Sequence, residues 1–523
     1  MKKTTFFLAA AAILASCNRE EALSSTDSGN SGNLFVKNYE ASELQGMITP
    51  MAQSFGLSGK AAGVQANYTY RGWAEPVRLD LTLSGIAGTE NLSGAARYMD
   101  LSASAAWTVN DIVFVVWHAA EVSDGNGGFQ NSGSYNVNGS GPKVGGSITA
   151  YKQVGIGQYE FKDRVDFFDA DYHEVYGDVN AGSGNYEIMM AGQRSTATSG
   201  YLLSGHDGAV VTRIDYDYVN DEFWEGSFRE IPLPGRSAND IVGAARRFYV
   251  TTGDAYGQGT GGVYELDRNL INVNKGASLS NGYSGRSIAI DNNEKLPGTE
   301  NTDQLFVVGG SLGFNFEIYR QFVSWNPGIS ATNFALGTPL NLATPNVTLN
   351  NERGDLTIAT SPDDPFRDPN LNPIPTRINW SPERTFITLN SVNFGAESVY
   401  NLVSTGTPGV YTLGVIPNIG NAISTEYDPA LDVLYVAMGG DVNGKAVKVI
   451  ALDRFAGQSP LINDYDVVGE FADPAIGSKL LSDGVTTMTP TINDVKEITI
   501  YGSRNIAVAA GSQGVYFIQR DKF

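Results

Sequence analysis

A pair of strand-like runs recurs seven times along this chain, and no other feature limits its fold as sharply. The first member is a short apolar run that ends in small residues. It appears as Asp111–Trp117, Tyr186–Gly192, Arg247–Gly253, Gln304–Gly310, Thr385–Asn390, Val433–Gly440 and Asn505–Gly511. The second follows after a loop, as Gly146–Tyr151, Ala209–Asp215, Gly262–Asp267, Phe316–Gln321, Ser398–Val403, Val447–Asp453 and Gly514–Gln519. Short apolar runs bounded by Gly, Asn, Asp or Pro are the signature of β-strands. A small unit repeated in one order cannot bury its own apolar face, so it must stack on its neighbours. Strand-only units of this size fit the four-stranded blade of a β-propeller.

Further strands complete some of the units. Arg286–Asp291 precedes the fourth pair as an innermost strand, and Tyr465–Phe471 follows the sixth as an outermost one. Composition agrees: there are 60 Gly in 523 residues, and charged residues are 17%, below the usual ~25%. Helical periodicity is confined to Glu40–Phe55, where Pro50 interrupts it. The last unit (Val495–Gly502, Asn505–Gly511, Gly514–Gln519) is one strand short. Val77–Leu83 alternates apolar and polar residues and belongs to no unit. Pairing it into the last blade would remove two exposed sheet edges at once. The expected fold is all-β: a single seven-bladed β-propeller over residues 71–523, with an N-terminal strand closing the last blade.

Phe248–Asp254 with Gly261–Arg268, and Leu434–Asp441 with Val447–Arg454, resemble the YVTN-type repeat and the LVIVD repeats of Bacteroidetes lipoproteins. The resemblance is clear in units three, four, six and seven and weak in the others. It implies a propeller scaffold, and such repeats specify a fold far more than a function.

The N-terminus supplies an address. Lys2 and Lys3 precede an unbroken apolar run from Phe6 to Leu14, too short for a span of about 20 residues and suited to a signal peptide. Leu14-Ala15-Ser16-Cys17 resembles the lipobox of bacterial lipoproteins, which implies a signal peptide over residues 1–17 and lipid attachment at Cys17. Cys17 is the one Cys in the chain, so no intramolecular disulfide forms. Asn18-Arg19-Glu20-Glu21 resembles the surface-export signal of Bacteroidetes lipoproteins, with Arg where Lys is usual. The expected location is the outer membrane, at the cell surface, with a periplasm-facing anchor as the alternative. Residues 18–34 are rich in Ser, Gly and Asn and read as a flexible tether. Residues 35–70 give no clear structural signal.

The formal charge of −21 repels nucleic acid and anionic lipid, so nucleic-acid binding is excluded. Catalytic motifs are missing: no HExxH, no serine elbow in a strand–turn–helix setting, no phosphate loop. The three His, at 118, 173 and 206, are far apart in sequence, which argues against a zinc or iron site. No cofactor is expected. The one alternative is a structural calcium at Asp166, Asp169 and Asp171 or at Asp215, Asp217 and Asp221. Ser361–Pro375 holds five Pro and reads as an inserted loop.

In a propeller the innermost strands begin around the channel mouth, where ligands are commonly held. Those positions here are Arg97, Glu174, Asn239, Asp240, Arg286, Arg377, Asn421, Lys496 and Glu497. Two follow a Gly-Arg-Ser pattern, at Gly235–Ser237 and Gly285–Ser287. Such a ring of mixed charge suits a polar ligand such as a sugar or carboxylate, while strand starts at a surface are also polar for no functional reason. The function expected is a non-enzymatic binding module for a glycan, peptide or protein partner. The alternatives are a lyase or hydrolase at the channel mouth, tested first at Asp240, Glu174 and Glu497, and a structural subunit of a surface assembly.

Overall fold

The computed structural model describes residues 35–36, 48–58, 65–80, 98–123, 129–130, 145–168, 170–180, 182–194, 208–235, 237–244, 247–253, 261–270, 273–279, 284–291, 302–310, 316–324, 336–342, 354–359, 384–389, 397–404, 410–420, 422–428, 433–438, 447–451, 466–471, 479–480, 487–488, 492–500, 503–511 and 513–521. Among these residues every regular element is a strand. The sequence of small sheets is that of a propeller-like all-β fold. Among the described residues, seven sheets of three or more strands succeed one another, with a two-stranded sheet of Lys479–Leu480 and Thr487–Met488 beside them in sequence. Their leading strands are Tyr98–Val109, Ala170–Val179, Ala238–Ala244, Ser284–Asp291, Gly354–Ala359, Ala422–Asp428 and Asp494–Ile500. All seven expected strand pairs are present as antiparallel neighbours. Each leading strand lies beside the next, and that of sheet seven lies beside that of sheet one.

The apolar runs fail to alternate because their strands are buried on both faces. Ile112, Phe114 and Val116 pack against sheet two, with Tyr172, Ile188 and Met190. Val113, Val115 and Trp117, on the opposite face, pack against sheet seven, with Ala507, Ala509 and Phe517. Sheet two repeats the device: Ile188 and Met190 face sheet one, and Met189 and Ala191 face sheet three. The remaining consecutive sheets share clusters in the same way. Each large side chain so buried contributes about 1.5–3 kcal/mol, so stability resides between sheets rather than within them.

An N-terminal strand does join the last sheet, but it is Gln65–Ala74 rather than the expected Val77–Leu83. It pairs antiparallel with Val515–Arg520, from Ala74 opposite Val515 to Tyr68 opposite Arg520. Within Val77–Leu83, the described strand Arg78–Asp80 pairs with Tyr98–Asp100 in sheet one. Gln65–Ala74 is the better closing strand because Ala66, Tyr68 and Tyr70 are buried against sheet six and the last sheet. The Tyr68 hydroxyl meets that of Tyr435 in sheet six at 2.6 Å, and Trp73 Nε1 donates to the Gln513 carbonyl at 2.6 Å. The chain reverses so tightly here that a Cβ on Gly514 (φ +96°) would come within 2.1 Å of the Ala74 carbonyl oxygen.

Ile48–Pro50 and Ser54–Ser58 flank Gln65–Ala74 as further strands. Where the expected helix at Glu40–Phe55 is described, residues 48–50 and 54–55 are strand instead, and the described strands between residues 48 and 70 belong to the last sheet. Phe35–Val36 pairs with Asp166–Phe167 at the edge of sheet one. Cys17, the tether and the inserted loop at Ser361–Pro375 lie outside the described residues.

Candidate functional site

The leading strands share a local irregularity. Their pairing slips by one residue at Ser104, His173, Asn239, Arg286 and Ile423 in sheets one, two, three, four and six. A bulge adds a residue to one strand and re-aims the side chains around it. Here it turns side chains of one leading strand towards the next.

Two Asn-Asp pairs reach from one leading strand to a neighbouring one, the first of them at a bulge. Asn239 Nδ2 donates to the Gly285 carbonyl of sheet four at 2.6 Å. Asp240 accepts from the Ile241 N–H at 2.7 Å, and across the gap from Ser287 Oγ at 2.6 Å and the Ile288 N–H at 2.7 Å. Sheet seven repeats the arrangement. Asn493 Nδ2 donates to the Ala103 carbonyl of sheet one at 2.7 Å. Asp494 accepts from the Val495 N–H at 2.9 Å, the Ala106 N–H of sheet one at 2.9 Å and Ser424 Oγ of sheet six at 2.6 Å. Each carboxylate thus satisfies donors on neighbouring sheets that would otherwise be costly to bury.

Glu174 occupies the corresponding position in sheet two. It is half-buried, and Oε1 accepts from the Val175 N–H at 3.1 Å. Burial pushes its carboxyl well above the usual carboxylate range, and the charges of Asp494 and Asp240 push it further. The Lys496 ammonium and the Val175 N–H act in the opposite direction. Lys496 Nζ lies 3.9 Å from Asp494 Oδ1 and 5.5 Å from the centre of the Trp107 ring. Leading strands from sheets seven, two and three therefore bring two further carboxyls and one ammonium within electrostatic reach of Glu174.

Of the nine expected mouth residues, Glu174, Asp240 and Lys496 fall in this group, with Asn239 fixed beside it. Glu497 does not: its charge acts on Tyr68 and Tyr435, between sheets six and seven. Arg286 is buried at the bulge of sheet four. Arg97, Arg377 and Asn421 lie outside the described residues. The two Gly-Arg-Ser patterns are not equivalent. Gly285 matches Ala238 in register, three residues beyond Gly235. Asn493 and Asp494 are not among the expected residues, although Asn493-Asp494-Val495 shares its Asn-Asp-apolar pattern with Asn239-Asp240-Ile241.

Asp169 and the side chain of Asp171 lie outside the described residues, and the other four Asp of the two clusters have partners within the protein. Asp215 is held by Arg213 through Nε at 2.8 Å and Nη2 at 3.0 Å. Asp221 pairs with Lys152 at 2.7 Å and Lys162 at 3.3 Å, and Asp217 accepts from the Val219 N–H within its turn. Asp166, whose carboxyl is pushed up by burial, pairs with Arg164 at 2.6 Å. Among the described residues no group of three or more His, Cys, Asp or Glu is placed to hold one metal ion.

No family model matches the chain, and no curated protein sequence matches it. Solved structures that resemble it include a proposed 6-phosphogluconolactonase from Bacteroides fragilis, at 11% identity and TM-score 0.40, with 80% of this chain and 96% of that one covered. Another is a protein of unknown function from Desulfotomaculum acetoxidans, at 12% identity and TM-score 0.35, with 71% and 85% covered. A third is the WD40 domain of Toxoplasma gondii coronin, at 8% identity and TM-score 0.42, with 90% and 87% covered.

Proposed function

We propose that the seven sheets are the blades of one ring, lipid-anchored through Cys17 at the outer membrane, and that its central mouth binds a hydroxyl-rich ligand such as a glycan segment. The observation that carries the binding reading is Glu174. A carboxyl whose pKa is raised by burial and by two neighbouring acids holds its proton more tightly than a free one, and in the protonated form it both donates and accepts hydrogen bonds, as a sugar hydroxyl requires. Asp240 and Asp494 are tied to the scaffold, so they fix the field around Glu174 rather than compete with the ligand. Lys496 gives the same site a cation for an acidic sugar.

Thermal unfolding of the full-length protein against a glycan panel tests this reading, since a ligand that binds the native state raises the melting temperature. The expected result is a shift with one glycan class that Glu174→Ala abolishes. A shift that survives Glu174→Ala places binding elsewhere and overturns the assignment. Glu174 also supports the second reading, a lyase or hydrolase, because a carboxyl with a raised pKa is suited to act as a general acid. Turnover of a bound glycan that is lost in Glu174→Gln, with binding retained, would decide for catalysis. Acyl labelling that disappears in Cys17→Ala tests the anchor, and protease accessibility on intact cells tests the membrane face.

A further inference from the structure

The chain holds three His, and two of them meet. His118, in sheet one, and His173, at the bulge of sheet two, have ring centres 6.3 Å apart and planes inclined at 61°. Both residues are half-buried, and the Nδ1 atom of each is buried. Neither ring sits on a loop. His118 is held in its strand opposite Ser102 and Gly146. The backbone at His173 is fixed by Ser104 Oγ, which donates to its carbonyl at 3.0 Å. Two rigid strands from different sheets therefore present their imidazoles to each other.

We infer that His118 and His173 form a two-imidazole site for a divalent transition ion of the zinc, nickel and copper class. Metal–nitrogen bonds are about 2.0–2.1 Å, so one ion between two imidazoles sets the ring centres roughly 5 Å apart at a tetrahedral angle and roughly 6.5 Å apart with the ion in line between them. The observed 6.3 Å matches the in-line arrangement of trans ligands on an octahedral or square-planar ion, and a tetrahedral ion requires the rings to close by about 1 Å. Imidazole suits these ions, whereas calcium and magnesium take oxygen ligands. The protein supplies two ligands, which leaves the remaining positions of the ion to water or to a bound molecule. The site joins sheets one and two at His173, the residue next to Glu174, but it does not depend on what the mouth binds. Distance in sequence hid it, because the ring centres meet only after two sheets pack.

Calorimetric titration of the full-length protein with Zn²⁺, Ni²⁺ and Ca²⁺ tests the inference. One ion of Zn²⁺ or Ni²⁺ per chain is expected, with no response to Ca²⁺. His118→Gln and His173→Gln should each weaken binding by roughly tenfold or more, and His206→Gln should leave it unchanged. Binding should fade below about pH 6 as the imidazoles protonate. No binding of Zn²⁺ or Ni²⁺, or binding that survives both His118→Gln and His173→Gln, or binding lost only in His206→Gln, overturns it. A measurement without variants guards against misfolded mutants. The electron paramagnetic spectrum of one equivalent of Cu²⁺ on the unaltered protein should show coupling to imidazole nitrogen. An all-oxygen spectrum overturns the site.

Discussion

Asp494 makes the most demanding test of how neighbouring sheets are held together. Its carboxylate is 3% exposed and accepts three hydrogen bonds, from Val495, Ala106 and Ser424. Asp494→Ala removes the acceptor and leaves two backbone N–H groups and one hydroxyl behind. Bonds to a charged acceptor are worth about 1.5–3 kcal/mol each, and a stranded buried donor costs about 1–3 kcal/mol. Part of this is offset, because the variant no longer buries a carboxylate and because Ser424 Oγ can rotate. The net loss should be about 3–5 kcal/mol, a large share of a typical stability of about 5–15 kcal/mol. Urea unfolding reads it as a lower midpoint at constant slope. Ser424→Ala, which removes one donor and strands none, should cost only about 1 kcal/mol. The double variant should cost less than the sum of the two, since both act on one bond. Asp240→Ala should behave like Asp494→Ala, because Asp240 also accepts three bonds. If Asp494→Ala stays within about 1 kcal/mol of the unaltered protein, the bonds across these sheets are not what secures them, and the reasoning fails.

Glu174 has an ordinary pKa of about 4.5 when unfolded and a raised one when folded. The folded state therefore binds its proton more tightly, and stability falls as pH rises from about 4.5 through the folded value. Glu174→Gln should flatten that fall, so its urea midpoint should exceed that of the unaltered protein at pH 8 and match it at pH 4. Gly514→Ala should lose roughly 2–3 kcal/mol by driving a Cβ into the Ala74 carbonyl, read as a lower urea midpoint. Deleting residues 1–47 should leave cooperative unfolding intact, whereas deleting 1–74 should abolish it by exposing the edge at Val515–Arg520, as circular dichroism would show. Arg213→Leu strands the buried carboxylate of Asp215, which lies 2.8 Å from the guanidinium, while Glu187 keeps Arg268 at 2.7 Å and Asn180 at 2.7 Å; the loss should be about 3–5 kcal/mol in the same urea assay.

The sequence determined the strands and their order. A run such as Ile112–Trp117 is apolar at every position, short and bounded by turn residues, which favours a strand buried on both faces, so seven such runs point to stacked sheets. Their pairing with the runs that follow was legible because hairpin neighbours are close along the chain. Glu174, Asp240 and Lys496 were legible as polar residues near strand starts. The tertiary structure decided the rest, because it rested on contacts between distant segments. Gln65–Ala74 and Val77–Leu83 both alternate, and the preference for the former comes from Tyr68 and Tyr70 fitting against sheets that lie hundreds of residues away. Whether Lys496 or Glu497 joins Glu174 depends on which face of its strand each occupies, and a one-residue change of register exchanges the two. The meeting of His118 with His173 depends on a bulge that no local pattern encodes, since the added residue is fixed by how one sheet lies on the next.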